Sequence, residues 1–204
     1  MIYRVFVICL LYDSLLSAQT LELRVGSGQT AKQVVEVAIG EEFALAIWAD
    51  LAAIRAAGIG FYLALPTDFF ALDRERPFVQ CALFAGAVEF ANEVMPRHEA
   101  IGVSADIELL PYAAVVGPGS ERGREGRGQV AHVILRPLRS GRAHIAFVHS
   151  PIYPGKLVVD DGVGERFFYA MEGIDIVVRS DHRPKAAADK DKGWAALKRR
   201  ISEP

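Results

Sequence analysis

His149 and Ser150, with Asp160 and Asp161 shortly downstream, are the residues of this chain whose types best suit nucleophilic chemistry. A hydrolytic triad needs hydroxyl, imidazole and orienting carboxylate on one side, within hydrogen-bond reach. Neighbours on a strand point to opposite faces, and the sequence holds no Gly-x-Ser-x-Gly elbow, so this pair does not read as a triad. Zinc needs ligands that converge. His144 and His149 stand five apart and face opposite ways on a continuous strand, and His132 joins either one only from a neighbouring strand. Asp160-Asp161-Gly162 lacks the ladder of oxygen ligands of a calcium loop and reads as an acidic turn. Glu89, Glu93 and Glu99 supply carboxylates, but no context sets two of them apart as a glycosidase pair. The expectation is a protein with no catalytic residue, no metal ligand and no cofactor.

Two glycine-rich stretches invite a nucleotide or nucleic-acid reading. Gly26-Ser-Gly-Gln-Thr30 lacks the lysine of a phosphate loop, no helix pattern follows it, and it reads as a turn. In Arg122-Gly-Arg-Glu-Gly-Arg-Gly128 the acids Glu121 and Glu125 dilute the charge and no aromatic alternates with the arginines, so the stretch reads as a solvated loop. A net charge of −2 gives no general pull toward nucleic acid or an anionic membrane.

Arg4, the apolar run Val5–Tyr12 and the small-residue stretch Ser14–Ala18 read as a signal peptide over residues 1–18, too short for a permanent membrane span. Its removal implies a secreted or cell-surface protein with no integral span. Cys81 is then the only cysteine left, which excludes an intramolecular disulfide, and it reads as a small buried apolar residue. The folded domain is expected over residues 20–179. Beyond it, residues 180–204 turn to Lys, Asp and Ala and read as a charged tail, with Trp194, Leu197 and Ile201 at the spacing of a short helix.

Between the two ends the pattern is short apolar runs with turn residues between them, the signal of a sandwich or barrel. Val35, Val37 and Ile39 alternate, Gly40-Glu-Glu42 turns, and Phe43, Leu45 and Ile47 resume, which predicts a hairpin. Leu51–Ala57 reads as one helical turn or a loop crossing ended by Gly58, before a strand at Phe61, Leu63 and Leu65. Phe78–Phe90 fits a short helix or a tight strand pair. Later strands are predicted at Val130–Leu135, His144–Val148, Leu157–Val159, Glu165–Tyr169 and Ile174–Val178. The fold class is therefore all-β, an antiparallel sandwich of two sheets. Trp48, Tyr62, Tyr112 and Tyr153 are the candidate aromatic platforms for a sugar, with the core the favoured place for Trp48.

Four segments, taken in order and spacing, carry a likeness to a known family: Val35-Glu-Val-Ala-Ile-Gly-Glu-Glu-Phe-Ala-Leu-Ala-Ile47, Gly58-Ile-Gly-Phe-Tyr-Leu-Ala-Leu65, the glycine-led strand pair Gly126–Gly141, and Ile174-Asp-Ile-Val-Val178. From Gln33 to Val178 the chain resembles cohesin-like domains, the β-sandwich modules best known from cellulosome scaffolds. The resemblance implies a jelly roll of about nine strands. It also implies a non-catalytic role, with binding to a dockerin-like protein module or, alternatively, to polysaccharide as a carbohydrate-binding module. An extracellular hydrolase is a further alternative. No motif fixes contact residues, so the resemblance assigns none.

Overall fold

Alternating apolar side chains close this chain into two facing sheets. The structure, a computed structural model, describes residues 18–26, 34–117, 123–160 and 164–180. The expected leader, apart from Ala18, and the expected tail beyond Ser180 lie outside the described residues. Fourteen strands occur among them: β1 (Thr20–Val25), β2 (Val35–Ala38), β3 (Phe43–Asp50), β4 (Ala56–Pro66), β5 (Phe70–Ala71), β6 (Phe78–Gln80), β7 (Val88–Asn92), β8 (Ile107–Val115), β9 (Arg127–Pro137), β10 (Gly141–Val148), β11 (Lys156–Val159), β12 (Glu165–Phe167), β13 (Ala170–Glu172) and β14 (Ile174–Arg179). Helix is confined, among the described residues, to one 3-10 turn at Ala82–Phe84. Four of the strands are pieces of two or three residues, which is why the count exceeds the nine or so expected.

The first sheet runs β13-β1-β3-β9-β5, with β6 also on β9; the second runs β12-β11-β4-β10-β14-β2, with β8 on β4 and β7 on β8. Pairing is antiparallel except for β1 with β13 and β2 with β14. Leu21, Leu23, Leu45, Ile47, Val133 and Leu135 from the first sheet meet Phe61, Leu63, Leu110, Ile145, Ile176 and Val178 from the second in one buried core. Phe61 centres it, its ring 5.6 Å from Phe78, 5.2 Å from Tyr112 and 5.6 Å from Phe147. Val130 and Ala131 are both buried although consecutive, because the register shifts at Ile47/Trp48 and bulges β9 there.

Three local expectations are corrected. Val35–Ile47 is not a hairpin: β2 pairs with β14 and β3 with β1 and β9, so the turn at Gly40, with φ of 76°, carries the chain from one sheet to the other. The apolar sides of β2 and β3 face each other across the core, an arrangement that alternation alone does not distinguish from a hairpin. The glycine-led pair around β9 and β10 is likewise split between the sheets, and Gly141 with φ of 134° makes the crossing. Gly58 does not end a helical turn but lies inside β4, where an added Cβ would stand 3.0 Å from Val115 Cγ2 and 3.1 Å from the Ala114 carbonyl. Close strand packing leaves little room for a side chain at that position.

Candidate functional site

The sequence candidates for chemistry do not come together. His149 and Ser150 sit in the turn after β10, where the Ser150 hydroxyl accepts the Tyr153 N–H at 3.0 Å and the His149 ring stands edge-on to Phe167 at 6.4 Å. Asp160 lies 3.8 Å from Arg55 and accepts the Gly123 N–H, while Asp161 falls outside the described residues. His144 pairs with Asp175 at 3.0 Å, and His132 lies in the other sheet with its Nδ1 3.3 Å from Cys81 Sγ. Among the described residues no group of three or more His, Cys, Asp or Glu converges on a metal-sized point. Glu89 is held by Arg76 at 2.6 Å and by Asn92 at 3.1 Å; Glu93 and Glu99 lie on the exposed segment that follows.

Two further readings change. Cys81 is half-buried on the outer side of the first sheet, and burial pushes its thiol up, away from the reactive thiolate. The arginine-glycine stretch is docked from Gly123 onward: Arg124 exchanges two backbone hydrogen bonds of 2.7 Å with Ala56, and its side chain reaches the Ala85 carbonyl at 2.7 Å. Most of Gly26–Thr30 and residues 118–122 lie outside the described residues.

What the fold does present is two contrasting outer faces. On the first sheet, Glu22 bonds both Arg24 and Arg127, and the Arg24 guanidinium lies over the Trp48 ring at 4.4 Å. Burial alone would raise the Glu22 pKa, but the hydrogen bonds and charges of Arg24 and Arg127 outweigh it and hold the carboxyl below its ordinary range. Trp48 thus lies half-buried on the outer face and not in the core, a guanidinium covering its ring. The register places it opposite Glu22, outside the Leu23–Ile47 pairs that face inward.

The second sheet is different. Its register sets Lys156, Gly60, Ala113 and Ala91 in one outward row across β11, β4, β8 and β7. The next row along is Val158, Gly58, Val115 and Val88. Exposed Val88 and Phe90 border this floor of small residues, the latter 72% accessible. Gly60 has no positive φ, and a Cβ there would meet nothing nearer than 3.7 Å, so neither backbone strain nor packing calls for glycine. Mid-strand glycine costs stability, and where the fold has no use for it, it suits close approach by another chain.

The middle of this face is covered by the chain itself, and beyond it exposed Arg142 and His144 pair with Asp175 across β10 and β14. Tyr153, buried in the β10–β11 connection, packs its ring 5.0 Å from Tyr62 and donates its hydroxyl to the Glu99 carbonyl at 3.2 Å. Leu109, on the outward side of β8 beside Ala64, is buried there and lies outside the central core. Tyr112 faces the core, where burial first and the nearby Glu89 carboxylate with it push its hydroxyl up to about 12. None of the four sequence-picked aromatics is therefore an open platform. Among the described residues the exposed rings are Phe90, Phe167 and Tyr169. Parity in Phe167-Phe168-Tyr169 was the available signal, because one residue of such a run fills the core and its neighbours then face solvent.

Comparison with solved structures identifies the fold as cohesin-like. The chain is similar to a type II cohesin domain from the cellulosome of Acetivibrio cellulolyticus, with 12% identity, a TM-score of 0.57, and 78% of this chain and 95% of that one covered. A cohesin module from a Clostridium perfringens family 33 glycoside hydrolase matches with 11% identity and a TM-score of 0.55, over 80% and 98%. A chain of a type I cohesin–dockerin complex from Clostridium thermocellum matches with 10% identity and a TM-score of 0.53, over 78% and 99%. No protein-family model matches the chain. No curated protein matches it by sequence. Among the described residues no helix is long and apolar enough to cross a membrane.

Proposed function

We propose that the chain is a non-catalytic binding module that docks a dockerin-like protein on the open half of the second sheet's outer face. One observation carries this reading: Gly60, in a row with Ala113 and Ala91, lies where the domain itself has no need of glycine, on a face bordered by exposed Val88 and Phe90. A flat trough of small residues lets a partner's backbone come close, while the apolar rim supplies anchors. The cohesin-like fold supports the choice of partner, since one of its neighbours belongs to a cohesin–dockerin complex. With the leader expected at residues 1–18, the module acts outside the cell or on its surface.

Surface plasmon resonance against a panel of purified dockerin modules, the Clostridium thermocellum one included, tests the proposal. Binding by at least one dockerin, lost in both Gly60→Arg and Ala113→Arg and kept in Trp48→Ala, is the expected result. Circular dichroism controls for folding of each variant. A panel in which no dockerin binds, or binding that survives both arginine substitutions, overturns it.

A further inference from the structure

We infer that the cleft between the β10–β11 turn and β12 is a binding site for a neutral polysaccharide, independent of the protein-docking trough. The chain crosses from the second sheet to the first between β12 and β13, and Phe168 plugs the core at that corner. Phe167 on one side of it is 57% exposed and Tyr169 on the other 82%. Leaving two aromatic rings in water forfeits the burial that Phe168 gains, so the positions on either side of it suit a ligand better than they suit the fold.

The lining says which ligand. His149, Ser150, Pro151, Pro154 and Phe167 line an open cleft of about 280 Å³. Three of these side chains are apolar, two carry hydrogen-bonding groups, and none is Asp, Glu, Lys or Arg. Among the adjacent charges, Lys156 and Glu165 close on each other at 2.6 Å, and Arg166 leaves β12 on the side opposite Phe167 and donates to the Glu165 carbonyl at 3.2 Å. An ionic ligand therefore finds no unmatched counter-charge at the cleft wall. A sugar ring matches what is there: its axial C–H face stacks on an aromatic ring and its equatorial hydroxyls reach an imidazole and a hydroxyl. His149 stands edge-on to Phe167, so ring face and hydrogen-bonding edge are offered at right angles to one ligand.

Affinity gel electrophoresis of the full chain through soluble neutral glucans, xylans and mannans, with polygalacturonate as the anionic control, tests this. At least one neutral glycan should retard the protein, with affinity about tenfold weaker in Phe167→Ala and reduced less in Tyr169→Ala. Phe90→Ala, an equally exposed ring in the protein-docking region, should bind glycan like the parent. Phe167 in the cleft and Tyr169 beyond Phe168 both face solvent, so these variants keep the parent melting temperature and loss of binding is not loss of fold. Retardation by polygalacturonate alone, by no glycan, or with equal loss in Phe90→Ala overturns the inference. Because the dockerin experiment uses other residues and another probe, either proposal can fail while the other stands.

Discussion

The outer face of the first sheet and the β4–β8–β7 part of the second's are built from opposite chemistry although they share one core. On the first sheet Glu22, Arg24 and Arg127 satisfy one another and Arg24 covers Trp48. On the β4–β8–β7 end of the second, Gly60, Ala113 and Ala91 offer neither charge nor bulk, and Lys156 at the far end of their row is drawn to Glu165. A face whose charges are already paired gains little from a partner, because a docking group must first displace an existing bond. A face of small apolar residues has no such internal competitor. The difference teaches where to look for binding in a fold whose core positions say nothing about partners.

The severest way to break the comparison is to remove what both faces stand on. Phe61→Ala empties the aromatic centre shared with Phe78, Tyr112 and Phe147, and it should lower stability by about 3–5 kcal/mol in a urea titration. Both faces should be lost together, at one midpoint by every probe. Two separate transitions would mean that the sheets are not one cooperative unit.

A smaller effect isolates the first sheet. Glu22→Gln leaves Arg24 and Arg127 without their carboxylate and should cost about 1–3 kcal/mol, measured by the same titration. The sign with pH follows from the lowered folded pKa. A carboxylate depressed in the folded state contributes stability above the unfolded value and loses it as pH falls through the folded one. The gap between parent and Glu22→Gln should therefore be widest near neutrality and close in acid. A gap that stays constant down to acid would show that the ion pairs contribute nothing.

These effects fall on residues that differ in how far they could be read from sequence. Period-two alternation announced β4, β9, β10 and β14, because each has one face in the core and a side chain's burial depends there on its own parity. Which sheet a strand joins is set by non-local pairing, so alternation marks both β2 and β3 yet joins them in a hairpin that does not form. Phe78–Phe90 was ambiguous for a related reason. Its β6 and β7 are fixed by the Asn92 side chain bonding both the Phe78 N–H and C=O, a contact across fourteen positions. The outer-face features are least visible: glycine at 58 and at 60 looks identical in sequence, yet one is crowded by Val115 and the other by nothing inside the domain.

That contrast gives a sharper test of the second sheet with a smaller energy. Gly60→Ala should raise stability by about 0.4–1 kcal/mol, since the added methyl fits and the unfolded chain loses freedom. Gly58→Ala should lower it, because its Cβ meets Val115 and the Ala114 carbonyl. Thermal melts of the two variants should move in opposite directions from the parent. Equal shifts would remove the reason for assigning Gly60 to a partner.

The smallest expected effect concerns residues 181–204. The core closes within the described strands, and β14, the last of them, is already paired on both sides by β10 and β2. The segment is rich in Lys, Asp and Ala, with apolar content too low to dock strongly by itself. Truncation after Ser180 should therefore leave the melting temperature unchanged within error and leave dockerin and glycan binding as in the full chain. This bears directly on the contrast between the faces. If Trp194, Leu197 and Ile201 covered the Gly60 row, truncation would lower the melting temperature and strengthen binding there, since the tail would no longer compete. If they covered the Trp48 face, the melting temperature would fall with binding unaltered. An unchanged melt with unchanged binding requires both faces to be as open in the whole chain as the two sheets make them.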